Sequence, residues 1–196
     1  FRRVWIRQDG NHALCPPCHI RKNLIVVAAE DGKIIWREPR GLEAGYDVPQ
    51  FSIHRGDFHM ILLNAARERL GAENILTGHY FESFEQDGKS VTAHFTDRHT
   101  GKSVGNAEGD FLVGADGINS SLRAIFYPDE GPPKYSGQML WRGVTEMEPF
   151  LDGRTMVIAG NHDSKLVIYP ISGAAARQGR ALVNWFAELR YAAPGA

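Results

Sequence analysis

Cysteine is scarce: the 196 residues hold two, Cys15 and Cys18. With no second cysteine pair, a four-cysteine zinc site is excluded. The pair stands in Cys15-Pro16-Pro17-Cys18-His19, a pattern shared by c-type haem attachment, redox pairs and half zinc sites. No export signal accompanies it, and the stretch is taken as a chance pattern in an irregular segment. Excess charge of either sign is also missing. Lys and Arg number 22, Asp and Glu 23, and the net charge is -1. A broad basic face for nucleic acid is therefore not expected. No apolar run approaches the roughly 18–20 residues of a membrane span. The charged start, Phe1-Arg2-Arg3, has no apolar stretch behind it, so no signal peptide is expected. The expected location is cytoplasmic. The first residue is not Met, which fits a truncated product.

What is present is ordinary for a globular chain: 43% hydrophobic and 23% charged residues. The length suits one domain or two small ones. Residues 1–22 show no steady period and are expected to be irregular. Residues 24–28 and 34–36 read as a hairpin turned at Asp31-Gly32. A short strand near Phe51 leads to a helix. Asp57 is its expected N-cap, Phe58, Ile61, Leu62, Ala65, Ala66 and Leu70 its apolar stripe, and Gly71 its terminator.

β structure is expected next. Residues 75–85 read as one long strand or two. Val91, Ala93 and Phe95 alternate with polar neighbours, the mark of a half-buried strand. A weaker strand covers 103–107. Phe111-Leu112-Val113 reads as a strand buried on both faces. A helix over 120–126 follows, capped by Asn119 or Ser120. Residues 127–136 connect to a second lobe. Strands are expected at 139–144, 155–160 and 165–171; residues 181–189 fit either a strand or a helix by period, and strand is favoured. The fold class is α/β, with mixed α and β elements.

The informative string is Gly114-Ala115-Asp116-Gly117-Ile118-Asn119-Ser120-Ser121-Leu122-Arg123. Gly114 and Gly117 permit close approach to the backbone. The helix start offers N–H groups and a positive dipole end suited to a pyrophosphate. Arg123 adds a cation for a carboxylate or phosphate. The plainer alternative is a strand-to-helix turn whose Asp caps the helix. The full pattern Asp-Gly-x-x-Ser-x-x-Arg is more specific than that.

This string resembles the Asp-Gly fingerprint of the class A FAD-dependent aromatic monooxygenases, relatives of p-hydroxybenzoate and salicylate hydroxylases. Ser52-Ile53-His54-Arg55-Gly56-Asp57-Phe58 is similar to the family segment whose arginine contacts FAD. Trp141-Arg142-Gly143-Val144, Tyr169-Pro170-Ile171 and residues 184–190 are similar to its substrate-lobe sheet. The nearest likeness is to the phenazine-carboxylate monooxygenase branch, over roughly residues 20–190. By resemblance, Arg55, Asp116, Gly117, Ser120 and Arg123 are the cofactor-binding positions. FAD is the implied cofactor and NAD(P)H the co-substrate. Molecular oxygen and a small aromatic molecule are the implied partners, with ring hydroxylation through a flavin C4a-hydroperoxide. The cofactor carries the chemistry, so no Ser-His-Asp set is required, and none stands out. No metal site is implied, no catalytic residue is assigned, and the oligomeric state is left open.

The resemblance divides the chain into a poorly matching 1–22, a substrate-lobe hairpin at 23–50, part of the Rossmann-like FAD lobe at 51–130, and an antiparallel substrate-lobe sheet at 131–196. Two family segments have no counterpart: the glycine-rich dinucleotide turn and a later Gly-Asp segment that holds the ribityl chain. A frameshifted or truncated gene start would produce the first gap. Unpaired sheet edges then predict poor solubility. Two alternatives stay open: a fragment that no longer binds FAD, or a related FAD-dependent halogenase or reductase. His54 is taken as a surface or packing residue and Arg142 as one half of a salt bridge. Trp36, Trp141, Tyr169, Trp185 and Phe186 are taken mostly as core packing.

Overall fold

The computed structural model describes residues 17–191 and divides into two units, 64–134 and the remainder. In the larger unit the strands are β1 (His19–Arg21), β2 (Asn23–Val27), β3 (Ile34–Pro39), β4 (Gln50–Ser52), β8 (Gln138–Met147), β9 (Thr155–Gly160), β10 (Ser164–Pro170) and β11 (Ala181–Arg190). Short helices follow β3 (Gly41–Ala44) and β10 (α3, Gly173–Arg177). Helix α1 (Arg55–Leu70) starts in this unit and ends in the other. The second unit holds β5 (Tyr80–Gln86), β6 (Val91–Thr96), β7 (Ser103–Gly109) and α2 (Ser121–Phe126).

Six strands of the larger unit form one sheet in the order β3-β2-β9-β10-β11-β8. The hairpin at 23–39 is its edge. Its turn closes as its residues demand: Gly32 takes φ 70°, and the Asp31 carboxylate accepts the Lys33 amide at 3.0 Å. The join is parallel, with Asn23 beside Thr155 and Val27 beside Ala159. The remaining pairs are antiparallel. Ile25, Val167, Val183, Ala181 and Ile171 are buried along this sheet and its exit. The run 181–190, which its period leaves open between strand and helix, is a strand, the favoured reading. Residues 19–21, within the stretch expected to be irregular, pair with 50–52. Cys15 lies outside the described residues.

His19 fastens β1 to the turn before β9: its Nε2 lies 2.6 Å from the Gly153 carbonyl oxygen, and the residue is 6% exposed. Burial holds its pKa below the ordinary 6.5, partly offset by the Gly153 bond. The fold therefore favours the neutral imidazole. Its stabilising contribution is complete above the unfolded value of about 6.5 and is lost as pH falls through the lower folded value. Unfolding in denaturant at pH 7.5 and pH 5 is expected to show lower stability at pH 5. The acid loss should shrink in His19→Gln, whose amide can donate to Gly153 without titrating.

In the second unit β6 lies between β5 and β7. Val91 and Ala93 are buried as the alternation predicts, but a register shift at Phe95/Thr96 brings Thr96 in instead of completing the series. Asp87 and Asp97 close the two turns, each accepting backbone amides two and three residues on. Helix α2 packs on β5, with the Phe84 and Phe126 rings 5.6 Å apart.

Several expectations fail. Helix α1 begins at Arg55, so Asp57 lies in its first turn and is not the cap. The first turn is closed by the Phe58 amide on the His54 carbonyl. The helix has no buried residue, and Phe58, Leu62 and Leu70 are exposed. Gly71 ends it as expected, at φ 88°. Residues 75–79 are not strand. Residues 111–113 are not strand either, and Phe111 and Val113 are 79% and 72% exposed. A strand buried on both faces needs neighbours on both sides, and the described residues of this unit supply none for it. Trp36 and Trp141 are exposed, at 60% and 45%, and so are not core.

Candidate functional site

The turn ahead of α2 is built almost entirely from its own side chains. Asp116 is the organising residue. One carboxylate oxygen accepts the Ser120 hydroxyl at 2.6 Å, and the other accepts the Ser121 and Leu122 amides at 2.7 and 3.3 Å. Ser120 in turn accepts the Arg123 amide at 2.9 Å, which makes it the N-cap. The Ser120 bond and then the amides hold the Asp116 carboxyl below its ordinary value of 3.8. Three orphan amides of the helix start are thus met within the chain. They are not open to a pyrophosphate, as the sequence alone had allowed. The plainer reading of Asp116 as a capping residue describes what it does here.

Arg123 reaches back over the same turn. Its Nη2 donates to the Ile118 carbonyl at 2.5 Å and its Nε to the Glu130 carboxylate at 2.7 Å. Glu130 lies in the segment read as a connection, seven residues on, where no periodic pattern marks it. Gly114 packs closely on Leu122: a Cβ there would sit 2.5 Å from Leu122 Cδ2, and the leucine tip would have to move. Gly117 is needed for conformation, at φ 83°, and open space lies on its side-chain face. The Gly117, Ile118 and Asn119 amides take no part in the bonds just described. A cleft of 350 Å³ adjoins this region, lined by Phe84, Val91, Phe111, Leu112, Leu122 and Phe126.

Removing the Ser120 hydroxyl breaks two of these bonds at once. Ser120→Ala is expected to lower stability by about 1 kcal/mol. Thermal unfolding followed by circular dichroism reads that loss, and Ser120→Thr, which keeps a hydroxyl able to donate to Asp116 and accept from Arg123, should recover most of it.

Arg55 belongs to the larger unit. It is exposed, opens α1, and enters no ion pair among the described residues. A cation at the positive end of a helix dipole is poorly placed unless an anion joins it. The neighbouring His54 ring approaches the Asp57 carboxylate only to 4.0 Å, and its amide donates to the Ile171 carbonyl. Arg142 is exposed on β8 and has no salt bridge among the described residues, against expectation. The described residues hold no group of side chains that would bind a metal. No helix among them is long and apolar enough to cross a membrane.

A third cluster gave no sequence signal. Arg21 donates through Nε and Nη2 to the buried Ser52 hydroxyl at 3.1 and 2.6 Å. Its Nη1 meets the Met156 sulfur at 3.0 Å, and its guanidinium carbon lies 4.7 Å from the Tyr169 ring centre. These residues come from β1, β4, β9 and β10, so only the folded sheet brings them together.

The chain belongs to the FAD binding domain family, which it matches over residues 44–190. Its relatives include hydroxylases of aromatic compounds and an FAD-dependent monooxygenase, OpS4, of Beauveria bassiana. It is 44% identical over 155 residues to a phenazine 1,6-dicarboxylic acid hydroxylase of Lysobacter antibioticus, a match covering 79% of this chain and 38% of that protein. It is 33% identical over 156 residues to a 3-hydroxybenzoate 6-hydroxylase of Polaromonas naphthalenivorans, covering 76% and 36%. The chain therefore spans little more than a third of the length of these relatives. Among solved structures, a 2,6-dihydroxypyridine-3-hydroxylase of Arthrobacter nicotinovorans shares the fold at TM-score 0.64 and 21% identity, covering 91% of this chain and 42% of that one. The Klebsiella pneumoniae protein HpxO, solved with FAD and uric acid, does so at 0.66 and 20%, covering 90% and 42%.

Proposed function

We propose that this chain is part of an FAD-dependent monooxygenase that hydroxylates a small aromatic substrate, with NAD(P)H and molecular oxygen as co-substrates. The 44% identity to a phenazine dicarboxylate hydroxylase carries the reading. When bound, the flavin supplies redox and oxygen-transfer chemistry that no amino-acid side chain provides. The protein's part is binding and shape. Arg55 is an exposed, unpaired guanidinium suited to a flavin phosphate. Gly117 leaves its face of the turn open to a bound group. Asp116, Ser120 and Arg123 keep that turn in one shape by capping, not by touching the cofactor through the helix amides. The domain division follows from the same reading. Residues 51–130 would serve the flavin, while 23–50 and 131–196 would serve the substrate. Dependence on NAD(P)H argues for a cytoplasmic protein.

A second reading, a chain that no longer holds FAD, draws support from the exposure of Phe111 and Val113. An activity assay and a flavin titration separate the two. With FAD and NAD(P)H present, the first reading predicts an aromatic product carrying one added oxygen atom, detected by mass spectrometry. NAD(P)H consumption with no oxygenated product from any aromatic acid tested would point to the reductase alternative, and a halogenated product to the halogenase.

A further inference from the structure

We propose that Arg21, with Arg40 behind it, is an anion subsite that takes a carboxylate of the aromatic substrate; this rests on the monooxygenase reading above. The Arg21 guanidinium is half-buried and has no carboxylate partner among the described residues. Its bonds go to a neutral hydroxyl and a thioether. Arg40 is held beside this strand, its amide donating to the Lys22 carbonyl at 2.7 Å, and its charge opposes that of Arg21. One carboxylate, Glu38, serves the pair, bonding Arg40 Nη2 at 3.0 Å. Arg40 Nε is buried with no hydrogen-bond partner. Two guanidiniums and one carboxylate leave one positive charge unbalanced in a partly desolvated place, which one bound monoanion would cancel.

The surroundings favour an aromatic acid over a phosphate. Arg21 lies over Tyr169, beside Met156. By cross-strand register, Met156, Tyr169 and Phe186, all partly exposed, point from the same face of the sheet as the buried Val167. A ring can lie on such an apolar, aromatic surface while its carboxylate meets the guanidinium. A strongly hydrated phosphate dianion gains nothing from that floor. Ser52 fixes the aim of the guanidinium, because its hydroxyl accepts from both Nε and Nη2.

The test titrates the full chain with 1-naphthoate and with 1-naphthamide, its neutral analogue, by calorimetry. The acid is expected to bind at least about tenfold more tightly than the amide. Arg21→Gln should remove that preference, Arg21→Lys should restore part of it, and the distant Lys89→Gln should leave it intact. Ser52→Ala should reduce the preference severalfold, and it keeps the test open if Arg21→Gln fails to fold. Equal binding of acid and amide by the wild-type chain overturns the proposal, as does a preference that survives in Arg21→Gln. Pyrophosphate that displaces naphthoate and itself loses affinity in Arg21→Gln would assign the cluster to cofactor phosphate and also overturn it. FAD binding is measured in parallel. An intact naphthoate preference without FAD binding contradicts the flavin reading and not the subsite.

Discussion

Asp116→Ala is expected to unmake the turn before α2 and to weaken flavin binding about tenfold or more. The carboxylate accepts three donors, from Ser120, Ser121 and Leu122, and alanine leaves all three without a partner. The Ser120 cap then loses its anchor, and the first turn of α2 should fray. Hydrogen exchange at the Ser121 and Leu122 amides reports this directly and should quicken in the variant. Asp116→Asn should sit between the two, because one amide oxygen can replace only part of the carboxylate's work. Acid should mimic the substitution. The folded pKa lies below 3.8, so the cap is complete at any pH above about 4 and is lost as pH falls through the lower folded value. Amide exchange that is unchanged in Asp116→Ala would show that the carboxylate does not hold the turn.

Gly160→Ala should strongly destabilise the larger unit. Gly160 closes β9 into β10 at φ 102°. A Cβ there would run into the Ser164 carbonyl oxygen and stand 2.9 Å from the Lys165 Cα, both backbone atoms that cannot swing aside. Conformational strain and the collision together are expected to cost about 2–3 kcal/mol. Gly88→Ala is the matched comparison: φ is 82°, but nothing lies within 4 Å, so strain alone should cost about 1 kcal/mol. Denaturant midpoints of the two variants measure the difference. If both fall equally, the close approach at Gly160 does not exist in solution.

What could be read from the sequence was what neighbouring residues decide among themselves. The turn at Asp31, the Gly71 terminator and the Ser120 cap all depend on side chains a few residues apart. The strands at 155–160 and 165–170 carry patterns strong enough to identify without partners, whereas the run at 181–190 fits either a strand or a helix by period and is settled by its pairing with β10 and β8. The failures have one physical source, which is dependence on distant partners. Phe111-Leu112-Val113 is apolar enough for a buried strand, yet apolarity does not supply neighbours to pair with. The stripe on α1 was legible, but its burial depends on what is packed against it. The parallel join of β2 to β9 leaves no local mark, because the two strands are far apart in the chain. The site divides in the same way. Asp116, Ser120 and Arg123 form a unit because they are close in sequence. Glu130, Ser52 and Arg21 were missed because their roles appear only after folding. The amides at the start of α2, read from the sequence as suited to a pyrophosphate, are occupied by Asp116 and Ser120 of the same motif.

The most direct test of the flavin reading is an FAD titration of the purified chain, followed by quenching of flavin fluorescence. Saturable quenching is predicted, and it should weaken in both Arg55→Gln and Asp116→Ala. Unquenched flavin up to about 1 mM, a threshold weaker than any useful cofactor site, would contradict it.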